Sequence, residues 1–107
     1  MWHNLHIKNV GRIKKIVAEF TITMIPILPY ATMKVKIYES QTGHFTGATN
    51  LAIKRKFDDN YEFTVGSGDT IQGALENTIL KFNEKMSEDD YLELNEQDIS
   101  YADWTDF

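Results

Sequence analysis

The sequence predicts a small α+β domain, in which an antiparallel sheet of three or four strands packs against one main helix, with a short second helix or strand near the C-terminus. Three observations predict it. From Gly66 to Met86, the residues Ile71, Ala74, Leu75, Thr78, Ile79, Phe82 and Met86 form one apolar stripe at the 3.6-residue period of a helix. Ahead of the stripe lie short segments that alternate apolar and polar residues, as strands with one wet face do. The chain has 107 residues, enough for one modest core and too few for two ordinary domains. A helix stripe of this kind needs an apolar partner surface, and the preceding segments can supply it.

Taken in order, residues 1–32 carry four Lys/Arg ahead of a mostly apolar run, a layout that resembles the start of a secretory signal. Glu19 interrupts the run, and Pro26 and Pro29 shorten it. The uncharged section from Phe20 to Met33 has fourteen residues, short of the roughly 20 that a membrane-spanning helix needs. A cytoplasmic protein with no membrane segment is the expectation. Ala18, Phe20, Ile22 and Met24 alternate as in a half-buried strand that ends near Pro26. The competing reading makes residues 1–32 an extension before a compact domain that begins at Met33.

From Met33, MKVKIYES sets Met33, Val35 and Ile37 against Lys34, Lys36 and Tyr38, a strand with one wet face. QTGHFTGATN, residues 41–50, contains Gly43 and Gly47 and reads as a turn or a long hairpin connection. In NLAIKRKF the residues Leu51, Ile53 and Phe57 share a face. Asp58-Asp59-Asn60 is a turn signal, and Tyr61, Phe63 and Val65 then alternate with Glu62 and Thr64, so this hairpin delivers aromatic side chains to one sheet face.

Asp69 is the preferred helix cap, because Gln72 then stands at N3 and completes a capping box; Thr70 would put Gly73 there instead. Gly73 costs about 0.5–1 kcal/mol relative to alanine inside a helix, which suggests close approach to another element. After Lys85 the character changes. Residues 87–107 hold eight Asp/Glu and no Lys/Arg, interleaved with Tyr91, Leu92, Leu94, Ile99, Tyr101, Trp104 and Phe107. A short helix from Ser87 and a strand at YLEL are both compatible with this acidic, aromatic tail.

The net charge of −5 divides unevenly. Residues 1–56 carry nine Lys/Arg against two Glu, a balance of +7, and residues 57–107 carry two Lys against fourteen Asp/Glu, a balance of −12. Such asymmetry steers charged partners or pairs internally. No cysteine is present, which removes disulfides, thiolate nucleophiles and cysteine metal ligands. His3 and His6 lack the neighbours of a metal site, and His44 reads as a residue of an exposed turn. The acidic run Glu88-Asp89-Asp90 lacks the alternating ligands and glycine of a calcium loop, and GSGDT is not a nucleotide-binding fingerprint. No catalytic residue, cofactor or metal is expected.

YEFTVGSGDTIQGALENTILKF, in its strand–turn–strand–helix order, resembles the amino-terminal domain of HicB-type antitoxins over residues 49–86. Gly68, Asp69, Thr70, Ala74, Leu75, Glu76 and Asn77 match the GDTxxEALENA pattern that introduces the helix in that family. The resemblance implies a small sheet packed on a helix and the binding of a small toxin RNase. Gly73 stands where the pattern has an acidic residue, and the PDLPGC-like segment is absent. No DNA-binding extension follows the helix, so operator binding is not implied.

These features point to a nonenzymatic small binding or inhibitor protein, antitoxin-like or anti-defence, that sequesters a basic partner. Its expected contacts are the aromatic anchors Tyr91, Trp104 and Phe107 with the charge complements Glu88, Asp89, Asp90 and Asp98. The alternative is a single-stranded nucleic-acid-binding module on the basic sheet surface, using Lys34, Lys36, Lys54, Arg55 and Lys56 for phosphates and Tyr38 and Phe45 for bases. Homodimerisation through a sheet edge or the amino-terminal region is compatible with either.

Overall fold

A computed structural model describes residues 2–24, 27, 32–103 and 107. Four strands, β1 (Lys14–Thr23), β2 (Thr32–Ser40), β3 (Phe45–Lys54) and β4 (Tyr61–Gly68), form an antiparallel meander in the order β1-β2-β3-β4. One long helix, α1 (Ile71–Glu88), packs on one face, and a three-residue strand, β5 (Ile99–Tyr101), completes the sheet by pairing with β3. The expected α+β architecture is the one observed.

Period-2 patterning explains the first two strands. Ala18, Phe20 and Ile22 of β1 stand opposite Ile37, Val35 and Met33 of β2, and residues opposite one another on an antiparallel ladder share a face. Met33, Val35 and Ile37 are fully buried, with Phe20, Ile22 and Met24 packed against them. Residues 14–23 are therefore an added strand of the sheet rather than an extension. Pro26 and Pro29 lie outside the described residues.

The connection at 41–50 is shorter than the sequence suggests. Only residues 41–44 turn, with Gly43 at φ +83°, and β3 begins at Phe45. Gly47 sits inside β3, where a Cβ would lie 2.3 Å from the Thr78 hydroxyl. Gly66 and Gly68 of β4 do the same work: a Cβ on Gly66 would come within 2.5 Å of the Thr78 amide nitrogen, and one on Gly68 within 2.7 Å of that of Ala74. These three strand glycines set the close approach of helix and sheet, and Gly73 lies across from one of them: a Cβ on Gly68 would come within 2.8 Å of the Gly73 carbonyl carbon. A Cβ on Gly73 would itself press on the Thr70 hydroxyl at 3.0 Å and meet the Gly68 Cα at 4.0 Å.

That close seating also decides the cap. Thr70, not Asp69, is the N-cap: its hydroxyl accepts the Gly73 amide at 2.9 Å. With Gly68 held against the first turn of α1, only Asp69 and Thr70 connect strand to helix. Asp69 is left on the outside, 3.6 Å from His44. The helix then buries Ala74, Thr78, Phe82 and Met86, with Ile71, Leu75 and Ile79 half-buried beside them, so the predicted stripe is the core face.

The β3–β4 hairpin turns at Asp58-Asp59-Asn60 as expected. Asp59 adopts a left-handed φ of 59°, and the Asp58 carboxylate accepts the Asn60 amide at 3.0 Å. The ladder is interrupted between Ala48 and Ala52. There the Thr49 hydroxyl accepts the Thr64 amide at 3.1 Å and donates to the Leu51 carbonyl, restoring a hydrogen bond that the irregular ladder lacks. Two side chains of α1 reach β4: Lys85 Nζ donates to the Phe63 carbonyl at 3.0 Å and Asn77 Nδ2 to the Ser67 carbonyl at 2.7 Å.

Neither a second α-helix nor a strand at YLEL forms. The chain leaves α1 through Asp90 at φ 57°, and Leu94 enters the core with its amide bonded to the Ile27 carbonyl at 2.8 Å. A single 3-10 turn, Glu96–Asp98, leads into β5. The β2–β3 ladder ends at Val35 and Thr49, and β5 pairs with the next part of β3, Leu51 to Ile53. The tail is thus a structural part of the domain.

Candidate binding surfaces

The sheet has one covered face and one open face, and the register sorts the residues between them. On β4 the positions toward α1 are Glu62, Thr64, Gly66 and Gly68. Tyr61, Phe63 and Val65 alternate with them and point away from the helix. The predicted aromatic face of the hairpin therefore exists, but it is the uncovered one. Phe63 and Val65 are 44% and 52% exposed. Their partners across the ladder are Ala52 and Ala48, and Ala48 also stands opposite Lys36. Ile16 of β1, 53% exposed, stands opposite Tyr38 of β2.

Lys14, Lys34 and Lys36 occupy alternate positions on this same face. Lys14 Nζ stands 5.0 Å from the centre of the Tyr38 ring. Lys36 Nζ stands 4.5 Å from the centre of the Phe107 ring and donates to the Phe107 main-chain oxygen. A groove of about 460 Å³ lies between, lined by Tyr38, Ala48, Phe63 and Tyr101, with Asp103 and Phe107 at its rim. Burial raises the Tyr101 phenol above its ordinary pKa, and its hydroxyl donates to the Thr32 carbonyl.

A second surface forms where the C-terminal end of α1 meets the β3–β4 turn. Arg55 bridges Asp58 and Glu62, each at 2.8 Å, and Lys85 also pairs with Glu62. The Lys85 hydrogen bond, with the nearby Arg55 charge, holds the Glu62 carboxyl below its usual range; the Asn60 amide, helped by Arg55, does so for Asp58. Phe57 leans on this cluster, 5.1 Å from the Arg55 guanidinium, and is 80% exposed. Tyr91 ties the chain after α1 to the same turn: its hydroxyl donates to the Lys54 carbonyl at 2.7 Å, and Lys56 Nζ stands 4.5 Å from its ring centre. Burial raises the Tyr91 pKa, with Asp98 and Asp89 adding to the effect. Leu92, the next residue, is 90% exposed.

The expected partner-binding residues therefore divide. Glu88 and Asp90 are exposed at this end, and Asp89 caps the helix while accepting the Lys56 amide. Asp98 closes the 3-10 turn by accepting the Asn95 amide at 2.9 Å. Tyr91 and Phe107 are engaged within the chain, and Trp104 lies outside the described residues. The basic set divides too. Lys34, Lys36 and Tyr38 share the open face, whereas Phe45 packs on the core side and Arg55 belongs to the ion-pair cluster.

Phe57 and Leu92 escaped the sequence reading as surface anchors because Phe57 continued the alternation of β3 and Leu92 sat among apolar neighbours. His3 lies 2.5 Å from Glu39, which fastens the first residues to β2. Among the described residues, no group of three His, Asp or Glu is placed to hold a metal ion, and no helix is long and apolar enough to cross a membrane. No family model, curated protein or solved structure matches this chain.

Proposed function

We propose that this is a nonenzymatic binding protein that sequesters a basic protein partner, as an inhibitor or antitoxin does, at the end where α1 meets the β3–β4 turn. One observation carries the reading: Phe57 and Leu92 are the two most exposed large apolar side chains among the described residues, Phe57 shares a surface depression with Glu88 and Asp89, and Leu92 lies in the acidic stretch of residues 88–93. Interfaces concentrate their energy in a few apolar or aromatic anchors, while a charged rim selects the partner and speeds encounter. In residues 54–62 and 85–93 seven carboxylates stand against four basic side chains, so the end as a whole favours positive charge.

Phe57 and Leu92 take the anchoring role first assigned to Tyr91 and Phe107, whose rings contact Lys56 and Lys36 of the same chain. A toxin nuclease or a nucleic-acid-binding defence protein has the required basic character, and the resemblance of residues 49–86 to HicB-type domains supports that class. The proposal includes a cytoplasmic location, resting on the interruption of the N-terminal apolar run by Glu19, Pro26 and Pro29.

The test compares the full chain with a Phe57→Ser, Leu92→Ser double variant. Each is used to capture partners from its native cells, and the captured protein is then purified and titrated by calorimetry. A basic partner is expected whose affinity drops at least about tenfold in the double variant and weakens with salt, with melting temperature preserved. A partner held equally by the double variant overturns the reading. Deleting residues 87–107 is not an equivalent experiment, because Leu94 and Ile99 belong to the packed body.

A further inference from the structure

We infer that the open face of the sheet binds single-stranded nucleic acid, with Phe63 and Tyr38 stacking on bases and Lys14, Lys34 and Lys36 contacting phosphates. An antiparallel sheet with one face on the core normally presents a polar face to water. Here Ile16, Tyr38, Phe63 and Val65 stand on the wet side instead, in adjacent rows of the ladder. The lysines alternate with these side chains at positions 14, 34 and 36. Interleaved rings and cations on one surface are what an unpaired strand requires, since every base has a stackable face and every linkage an anionic oxygen.

The groove between them, about 460 Å³, falls within the roughly 300–1,000 Å³ of ordinary ligand sites. Lys36 stands over the Phe107 ring and donates to the Phe107 main-chain oxygen, so a bound strand displaces Phe107 from Lys36 and offers it a phosphate in exchange. A duplex is disfavoured, because its stacked bases cannot reach Phe63 or Tyr38. Glu19 lies on the same face and Asp103 at the groove rim, so the expected binding is salt-sensitive and of modest affinity.

The surface is distinct from the one proposed for the protein partner, and the two are separable. Labelled single-stranded oligonucleotides are titrated with the full chain at low salt and read by fluorescence anisotropy, beside a duplex and labelled polyglutamate. Saturable binding of the single strand is expected, tighter than that of duplex or polyglutamate. Phe63→Ala should lower affinity about tenfold with the salt slope unchanged. Lys34→Gln and Lys36→Gln should each reduce the slope of log K against log salt by about 0.7. The Phe57→Ser, Leu92→Ser variant should bind as the parent does.

Circular dichroism checks the fold of each variant, and exposed Lys34 tests the face independently of Phe63. Absence of binding up to about 10⁻⁴ M protein at low salt, polyglutamate binding as tight as the oligonucleotide, or an unchanged affinity in Phe63→Ala overturns the inference.

Discussion

The two faces of the sheet are built from the same strands and obey opposite rules. On the covered face, Met33, Val35, Ile37 and Leu51 are sealed from solvent and three glycines remove side chains so that α1 can sit close. On the open face, Ile16, Phe63 and Val65 stand half in water, and no described helix or strand lies over them. Apolar character alone therefore does not mark the core in this protein. Volume matching does: the helix lies where β3 and β4 are flattened by Gly47, Gly66 and Gly68, and on β4 that is the face opposite Tyr61, Phe63 and Val65.

This contrast can be broken by substitution. The largest effect belongs to Phe82, fully buried on the sheet-facing side of α1: Phe82→Ala should cost about 3–5 kcal/mol, against about 1 kcal/mol or less for Phe63→Ala on the open face, both measured by urea unfolding. A comparable loss for the two would mean that the open face is covered in solution. Next comes Gly66→Ala, which drives a methyl against the Thr78 backbone and should cost about 1–3 kcal/mol. Its neighbour Val65→Ala should cost less, and the reverse order would refute the close seating of the helix. The smallest effect separates the two cap candidates: Thr70→Ala should lower stability by about 1 kcal/mol, while Asp69→Ala should change it little.

Much of the covered face was legible in the sequence. The stripe through Ala74, Thr78, Phe82 and Met86 and the alternation in β1 and β2 reflect local periodicity, which needs no knowledge of the partner. What alternation cannot give is direction. It puts Tyr61, Phe63 and Val65 together but does not say which way they point, and the small residues Thr64 and Gly66 on the other side look too weak to attract a helix. The glycines misled for a related reason: Gly47 read as part of a turn and Gly66 as the start of the helical stretch, while their role lies across space. Leu94 and Ile99 sit among carboxylates, and only the stretch of β3 beyond its β2 ladder explains why they fold inward. The Phe57 and Leu92 surface is equally nonlocal, since Tyr91 brings the two segments together.

Lys85 and Asn77 have a consequence for self-association. By occupying the Phe63 and Ser67 carbonyls they blunt the β4 border of the sheet, while the irregularity between Ile16 and Ala18 interrupts the β1 border. Edge-to-edge stacking of copies into a fibre is disfavoured where the borders of a sheet are interrupted in this way.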